Sequence, residues 1–71
     1  MDGMTVRFLE NEYYDIEQDI DVVKMMAITP TGTWSAQTPL DKKTQGRRKE
    51  FREYVLEKMY EGESPCEVEF D

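Results

Sequence analysis

The chain has no histidine and a single cysteine, Cys66, among its 71 residues. Without histidine, the commonest general acid or base near neutral pH is missing. With one cysteine, neither an internal disulfide nor a cysteine cluster for zinc can form. Long apolar runs are missing too. The longest, Met25 to Ile28, is the length of a strand, far short of the roughly 20 residues that span a bilayer. Glycine (4) and proline (3) are scarce, so each one carries weight as a break or a turn.

Acids are abundant: 16 Asp and Glu against 9 Lys and Arg, a net charge of −7. This balance disfavours anionic membranes and bulk nucleic-acid binding, and with nothing resembling a signal peptide the cytoplasm is the expected compartment. Leu, Ile, Val and Phe make up 14 of 71 residues, close to the range in which highly charged chains stay unfolded. Five Met, four Tyr and Trp34 add apolar surface, and the apolar positions are periodic, so residues 1–71 are read as one small folded domain. Its core is thin, since a chain of this length buries only about 60% of its unfolded surface.

Thr5 to Leu9 places Val6 and Phe8 on one side at period two, which predicts a short first strand. Glu10 to Asp19 is acidic and ambiguous, and a helical turn or ordered loop is expected there. Ile20 to Thr29 is the strongest strand. Ile20, Val22, Met26 and Ile28 lie on one face, Val23, Met25 and Ala27 on the other, as in a central strand or one covered by a partner. Thr29-Pro30-Thr31-Gly32 reads as a turn into a returning strand, Thr33 to Gln37.

Thr38-Pro39-Leu40-Asp41 has the chemistry of a helix start, with Thr38 as cap and Pro39 first, and Gly62 with Pro65 beyond marks the stop. Phe51, Val55 and Met59 form the buried stripe, with Leu40, Leu56 and Tyr60 alongside, while Gly46 interrupts the helix. Cys66 to Phe70 closes the chain as a strand with Cys66, Val68 and Phe70 inward and Glu67 and Glu69 outward. The expected fold is α+β: a small antiparallel sheet of about four strands, in the order β-β-β-α-β, packed on one amphipathic helix. Phe8, Val22, Ile28, Trp34, Phe51, Val55, Val68 and Phe70 are the expected core.

For function, the layout of charge is the main clue. The run Glu10, Glu12, Tyr13, Tyr14, Asp15, Glu17, Asp19, Asp21 combines acids with two aromatic anchors and suits a basic protein surface. Carboxylates alternating along a strand repeat at about 6.6–6.8 Å, comparable to phosphates, which suggests imitation of nucleic acid and inhibition of a nucleic-acid-binding protein. Glu67, Glu69 and Asp71 form a second such row. In style only, the profile resembles small accessory proteins of phages and mobile elements; no motif marks a family.

Two other readings follow. Lys42, Lys43, Arg47, Arg48, Lys49 and Arg52 make a basic segment that suits phosphates, although the acidic remainder of the chain opposes direct nucleic-acid binding. A two-sided apolar strand with a small core also suits a self-associating assembly subunit, as in a virion or complex. No catalytic set, cofactor or metal is expected. Cys66 has the setting of a core thiol, and Asp15-x-Glu17-x-Asp19-x-Asp21 lacks the glycine and terminal glutamate of a calcium loop.

Overall fold

A computed structural model describes residues 5–70. Three strands, β1 (Arg7–Asp15), β2 (Ile20–Thr29) and β3 (Gly32–Pro39), are followed by helix α1 (Thr44–Tyr60) and a two-residue strand β4 (Glu67–Val68). They form one four-stranded sheet in the order β1-β2-β3-β4, with α1 on one face. The expected α+β architecture and element order hold. The sheet, however, is mixed, because β4 pairs parallel to β3 through Ser35↔Glu67 and Ala36↔Val68. The reason is topological. A helix between two neighbouring strands carries the chain back to the end at which the first began, and the second strand then runs the same way.

The first strand is longer than the sequence suggested. Glu10 to Asp15 continues β1 and pairs residue for residue with β2, from Arg7↔Ile28 to Asp15↔Ile20. The connector is only the turn at 16–19, tied by Asp15. Tyr13, Ile16 and Ile20 fall at helical spacing, which favours a helical turn locally, but cross-strand pairing of Tyr13 with Val22 prevails.

Register decides which side of β2 becomes core. Val23, Met25 and Ala27 face the helix, opposite Thr38, Ala36 and Trp34 of β3. The expected inner set fails in part. Ile28 lies on the uncovered face and is 39% exposed, whereas Val22, on that same face, is buried beside its neighbours Tyr13 and Pro39. From α1 come Phe51 and Val55, and Val6, Phe8, Met59, Val68 and Phe70 close the margins. Phe8 meets Phe51 edge to face at 6.4 Å, and Trp34 meets Tyr54 likewise at 6.1 Å, a geometry that adds to area burial. Leu40, Leu56 and Tyr60 stay exposed, outside the stripe.

The helix begins later than the Thr38-Pro39 signal implies. Thr38 is buried within β3 and pairs with Val23, while Pro39 ends the strand. The position tolerates proline. The N–H of Ser35 is directed towards β4, donating to the carbonyl of Cys66, so by period two the nitrogen of Pro39 also lies on that side, beyond the stretch β4 reaches. Thr44, buried at the first helical position, then stitches the corner. Its hydroxyl donates to the carbonyl of Pro39 at 3.0 Å and accepts from the N–H of Asp41 at 2.7 Å.

The predicted stop is correct. Gly62 has φ +80°, its N–H donates to the carbonyl of Met59, and the N–H of Glu63 donates to that of Lys58, the paired bonds of a Schellman ending. Gly46 neither breaks nor ends the helix, and a Cβ built there meets nothing within 4 Å.

The two glycines therefore respond oppositely to alanine. Gly46→Ala should stabilise the fold by about 0.5–1 kcal/mol, because a helical site gains intrinsic propensity. Gly62→Ala should destabilise it by about 1 kcal/mol, because a Cβ opposes positive φ. Urea denaturation of both variants measures this pair of opposite shifts.

Candidate functional site

The acidic run is drawn into the β1–β2 hairpin and divided by it. Period two places Glu10, Glu12 and Tyr14 on the helix side of the sheet with Asp21, the partner of Tyr14. Tyr13 and Asp15 lie on the uncovered side, and Glu17 and Asp19 are in the turn. The expected single row of carboxylates is therefore not formed. Of the second row, Glu67 lies in β4 and Glu69 just beyond its end. β4 ends at Val68, and Asp71 lies outside the described residues.

Two of the acids are committed internally. Glu10 accepts from Nε of Arg48 at 3.0 Å through both carboxylate oxygens. Asp15 organises the turn: Oδ1 accepts the N–H of Glu17 at 3.0 Å and of Gln18 at 3.3 Å, and Oδ2 accepts from the Gln18 side chain. Its carbonyl takes the N–H of Asp19 at 2.7 Å. Asp19 closes the turn at φ +58°, a conformation that Asp and Asn tolerate better than most residues. Tyr13 is tied as well, its hydroxyl donating to Gln37 Oε1 at 3.0 Å.

What remains outward forms a compact tip. Ile16 is 82% exposed and Tyr14 53% exposed, with Glu12, Glu17, Asp19 and Asp21 at the same end of the hairpin, all on the surface. Ile16 was not among the expected site residues. An isolated isoleucine within an acidic run signals core by default, and only the turn reveals it as the apex. Among the described residues no three Asp, Glu or Cys side chains converge as ligands for a cation.

The arginines of the basic segment are engaged within the chain, while its lysines are exposed. Arg47 donates from Nη1 to Thr38 Oγ1 at 2.8 Å and to the Asp41 carboxylate at 3.2 Å. Arg48 holds Glu10 and also bonds Gln45 Oε1. Arg52 lies over the Phe8 ring, 5.5 Å from its centroid. Lys42, Lys43 and Lys49 are exposed. Farther along α1, Lys58 donates to Glu61, which holds its ammonium above the usual lysine range. Cys66, expected in the core, is exposed, since the last strand starts only after it.

Among the described residues no helix is long and apolar enough to cross a membrane. No family model matches the chain, and no curated protein or solved structure matches it either.

Two outcomes follow. Asp15→Ala removes a carboxylate that caps two turn N–H groups, and should cost about 1 kcal/mol of stability in urea denaturation. The N–H of Lys43, together with Arg47, holds the Asp41 carboxyl below its ordinary value of 3.8. A depressed folded pKa gives stability that is present above the unfolded value and lost as pH falls through the folded one. Wild type should therefore lose stability relative to Asp41→Asn as pH drops below about 4, with the two melting temperatures converging in acid.

Proposed function

We propose that the chain is a non-catalytic protein-binding module whose β1–β2 hairpin tip seats on a basic surface of a partner protein. The observation that carries this reading is the apex itself. An apolar residue, Ile16, and an aromatic one, Tyr14, stand exposed at the same end of the hairpin as the exposed acids Glu12, Glu17, Asp19 and Asp21. Apolar anchors ringed by groups that exclude water are the arrangement that concentrates binding energy at interfaces. The surrounding negative field steers a basic partner towards the tip and rejects an acidic one.

The turn is also pre-organised, since Asp15 already orders the backbone that would have to be fixed on binding, which lowers the entropic cost of association. A basic surface of the kind that holds nucleic acid fits this chemistry, and occupying it would exclude the polyanion competitively. Support for the tip over the basic helix comes from the ion pairs: Arg47 and Arg48 serve Asp41 and Glu10 within the chain, which leaves them poorly placed to grip phosphates.

An arginine-rich helical peptide is a suitable first probe, titrated by calorimetry at low and moderate salt. Binding should weaken about tenfold or more when Glu17→Gln, Asp19→Asn and Asp21→Asn are combined, and also on raising salt from about 0.05 to about 0.3 M. Ile16→Ser should weaken it further. Affinity that ignores both salt and the triple substitution would refute the reading, as would the absence of binding to the peptide at low salt.

A further inference from the structure

Among the described residues, the outer edge of β1 is the longest unpaired strand edge of the sheet. Which of its groups point outward follows from the hydrogen bonds. The carbonyl of Asp15 is turned inward, towards the chain returning as β2, where it accepts the N–H of Asp19. Because backbone groups alternate sides along a strand, Tyr13, Asn11, Leu9 and Arg7 also address β2. Phe8, Glu10, Glu12 and Tyr14 direct their N–H and C=O groups away from the sheet. The same alternation recurs across the sheet: the carbonyl of Asp21 accepts from Leu40 on the β3 side of β2, and the N–H of Ser35 meets Cys66 on the β4 side of β3.

This edge lacks most of the usual defences and keeps one, its charged side chains. Natural edge strands are kept short, bulged, or interrupted by proline or lysine. The opposite edge conforms, with β4 two residues long. β1 is nine residues long, unbroken in its pairing with β2, and contains no proline, glycine or lysine. Its charges, Arg7, Glu10, Glu12 and Asp15, are of both signs and lie in nearly mirrored positions about Asn11.

We infer that β1 pairs antiparallel with β1 of a second copy of this chain, about a two-fold axis at Asn11, to make one continuous sheet across two protomers. Only this register matches all the outward-directed residues with each other, Phe8 opposite Tyr14 of the second copy and Glu10 opposite its Glu12. A two-residue slip in either direction sets Phe8 or Tyr14 against a residue outside the strand. The side chains agree with the register. Arg7 falls opposite Asp15 of the second copy and, by symmetry, Asp15 opposite Arg7, giving two attractive pairs. Leu9 meets Tyr13 and Phe8 meets Tyr14, aromatic contacts of the kind that stabilise adjacent strands. Leu9 is 38% exposed and Tyr13 37% exposed, so both have apolar surface to bury.

The opposed contact is Glu10 against Glu12 of the second copy, which the symmetry forms twice. Arg48 sits beside it, with Nε on Glu10, and a guanidinium has further N–H donors with which to reach Glu12 of the second copy. The isologous contact is closed, so association stops at the dimer, and the two hairpin tips point in opposite directions with Ile16 free at each turn. This inference is independent of the proposed partner, since it requires no other protein.

Sedimentation equilibrium of the full chain from about 10 µM to about 1 mM tests it, the upper limit corresponding to only about 4 kcal/mol of association. The expected result is a mass that doubles with concentration. Glu12→Pro removes an outward N–H at an edge position where proline is tolerated, and should give a folded monomer with unchanged far-ultraviolet circular dichroism. Glu12→Lys should tighten the dimer by turning the opposed pair attractive, and Arg7→Asp should weaken it about tenfold or more. A wild-type monomer at about 1 mM overturns the inference. So does a folded Glu12→Pro dimer. Should that variant fail to fold, shifts of the same sign for Glu12→Lys and Arg7→Asp would overturn it equally.

Discussion

One helix can cover one face of a four-stranded sheet, and everything else in this fold follows from which face it takes. β2 is apolar on both sides, so the choice is not made by hydrophobicity alone. The side under α1 carries Ala27 and, across from Met25, Ala36. Small residues there let the helix approach closely enough for Phe51 and Val55 to lie against Trp34, and interiors reward close packing with dispersion contacts throughout. The other side keeps Leu9, Tyr13 and Ile28 partly in water. With so thin a core, the molecule has little apolar surface to spare, and what it leaves uncovered lies beside the β1 edge.

The corner between β3 and α1 converts that choice of face into an arrangement of charge. Thr44 joins Asp41 to Pro39, Asp41 accepts the N–H of Lys43, and Arg47 reaches back to Thr38 and Asp41. Thr38 and Thr44 are buried, and their hydroxyls would be expensive to leave unpaired, so their bonds help fix where the helix starts. One turn later Arg48 meets Glu10. The arginines of that basic segment thus help attach the helix to the sheet, while Lys42, Lys43 and Lys49 stay exposed. The acids beyond Glu10 have no such partners along α1, and the excess negative charge collects at the hairpin tip.

Much of the fold was legible in the residues. The strand alternation of Ile20 to Thr29, the Pro30–Gly32 turn, the stripe of Phe51, Val55 and Met59, and the Gly62 stop all reflect local rules that nothing tertiary opposes. The misreadings share one cause, a local signal outvoted by pairing. Thr38-Pro39 has good capping chemistry, yet Thr38 is worth more buried opposite Val23, and Pro39 loses nothing at an unreached edge. Glu10 to Asp15 has poor strand composition, yet it extends β1 because every residue finds a partner on β2. The parallel course of β4 depends on the path of the chain around the helix, which no residue spells out. At the candidate site the acids and tyrosines were visible, but their division between two faces was not. Which side a residue faces is a matter of register, and a one-residue shift would have exchanged the two sets.

The same parity ties the two interaction surfaces together. Glu12 and Tyr14 direct their side chains to the helix side while their backbone groups face outward, so one pair of residues serves both edge and tip. An edge strand bearing acids is ordinarily read as protected, since like charges keep strands apart. Here Glu10, beside Asn11, is compensated from within by Arg48, and the outermost charges, Arg7 and Asp15, are opposite in sign. A strand whose two ends attract each other across a two-fold axis differs physically from a uniformly acidic one, even at the same net charge. The negative charge thus protects the chain where it is concentrated, at the turn, and leaves the middle of β1 open to a copy of itself.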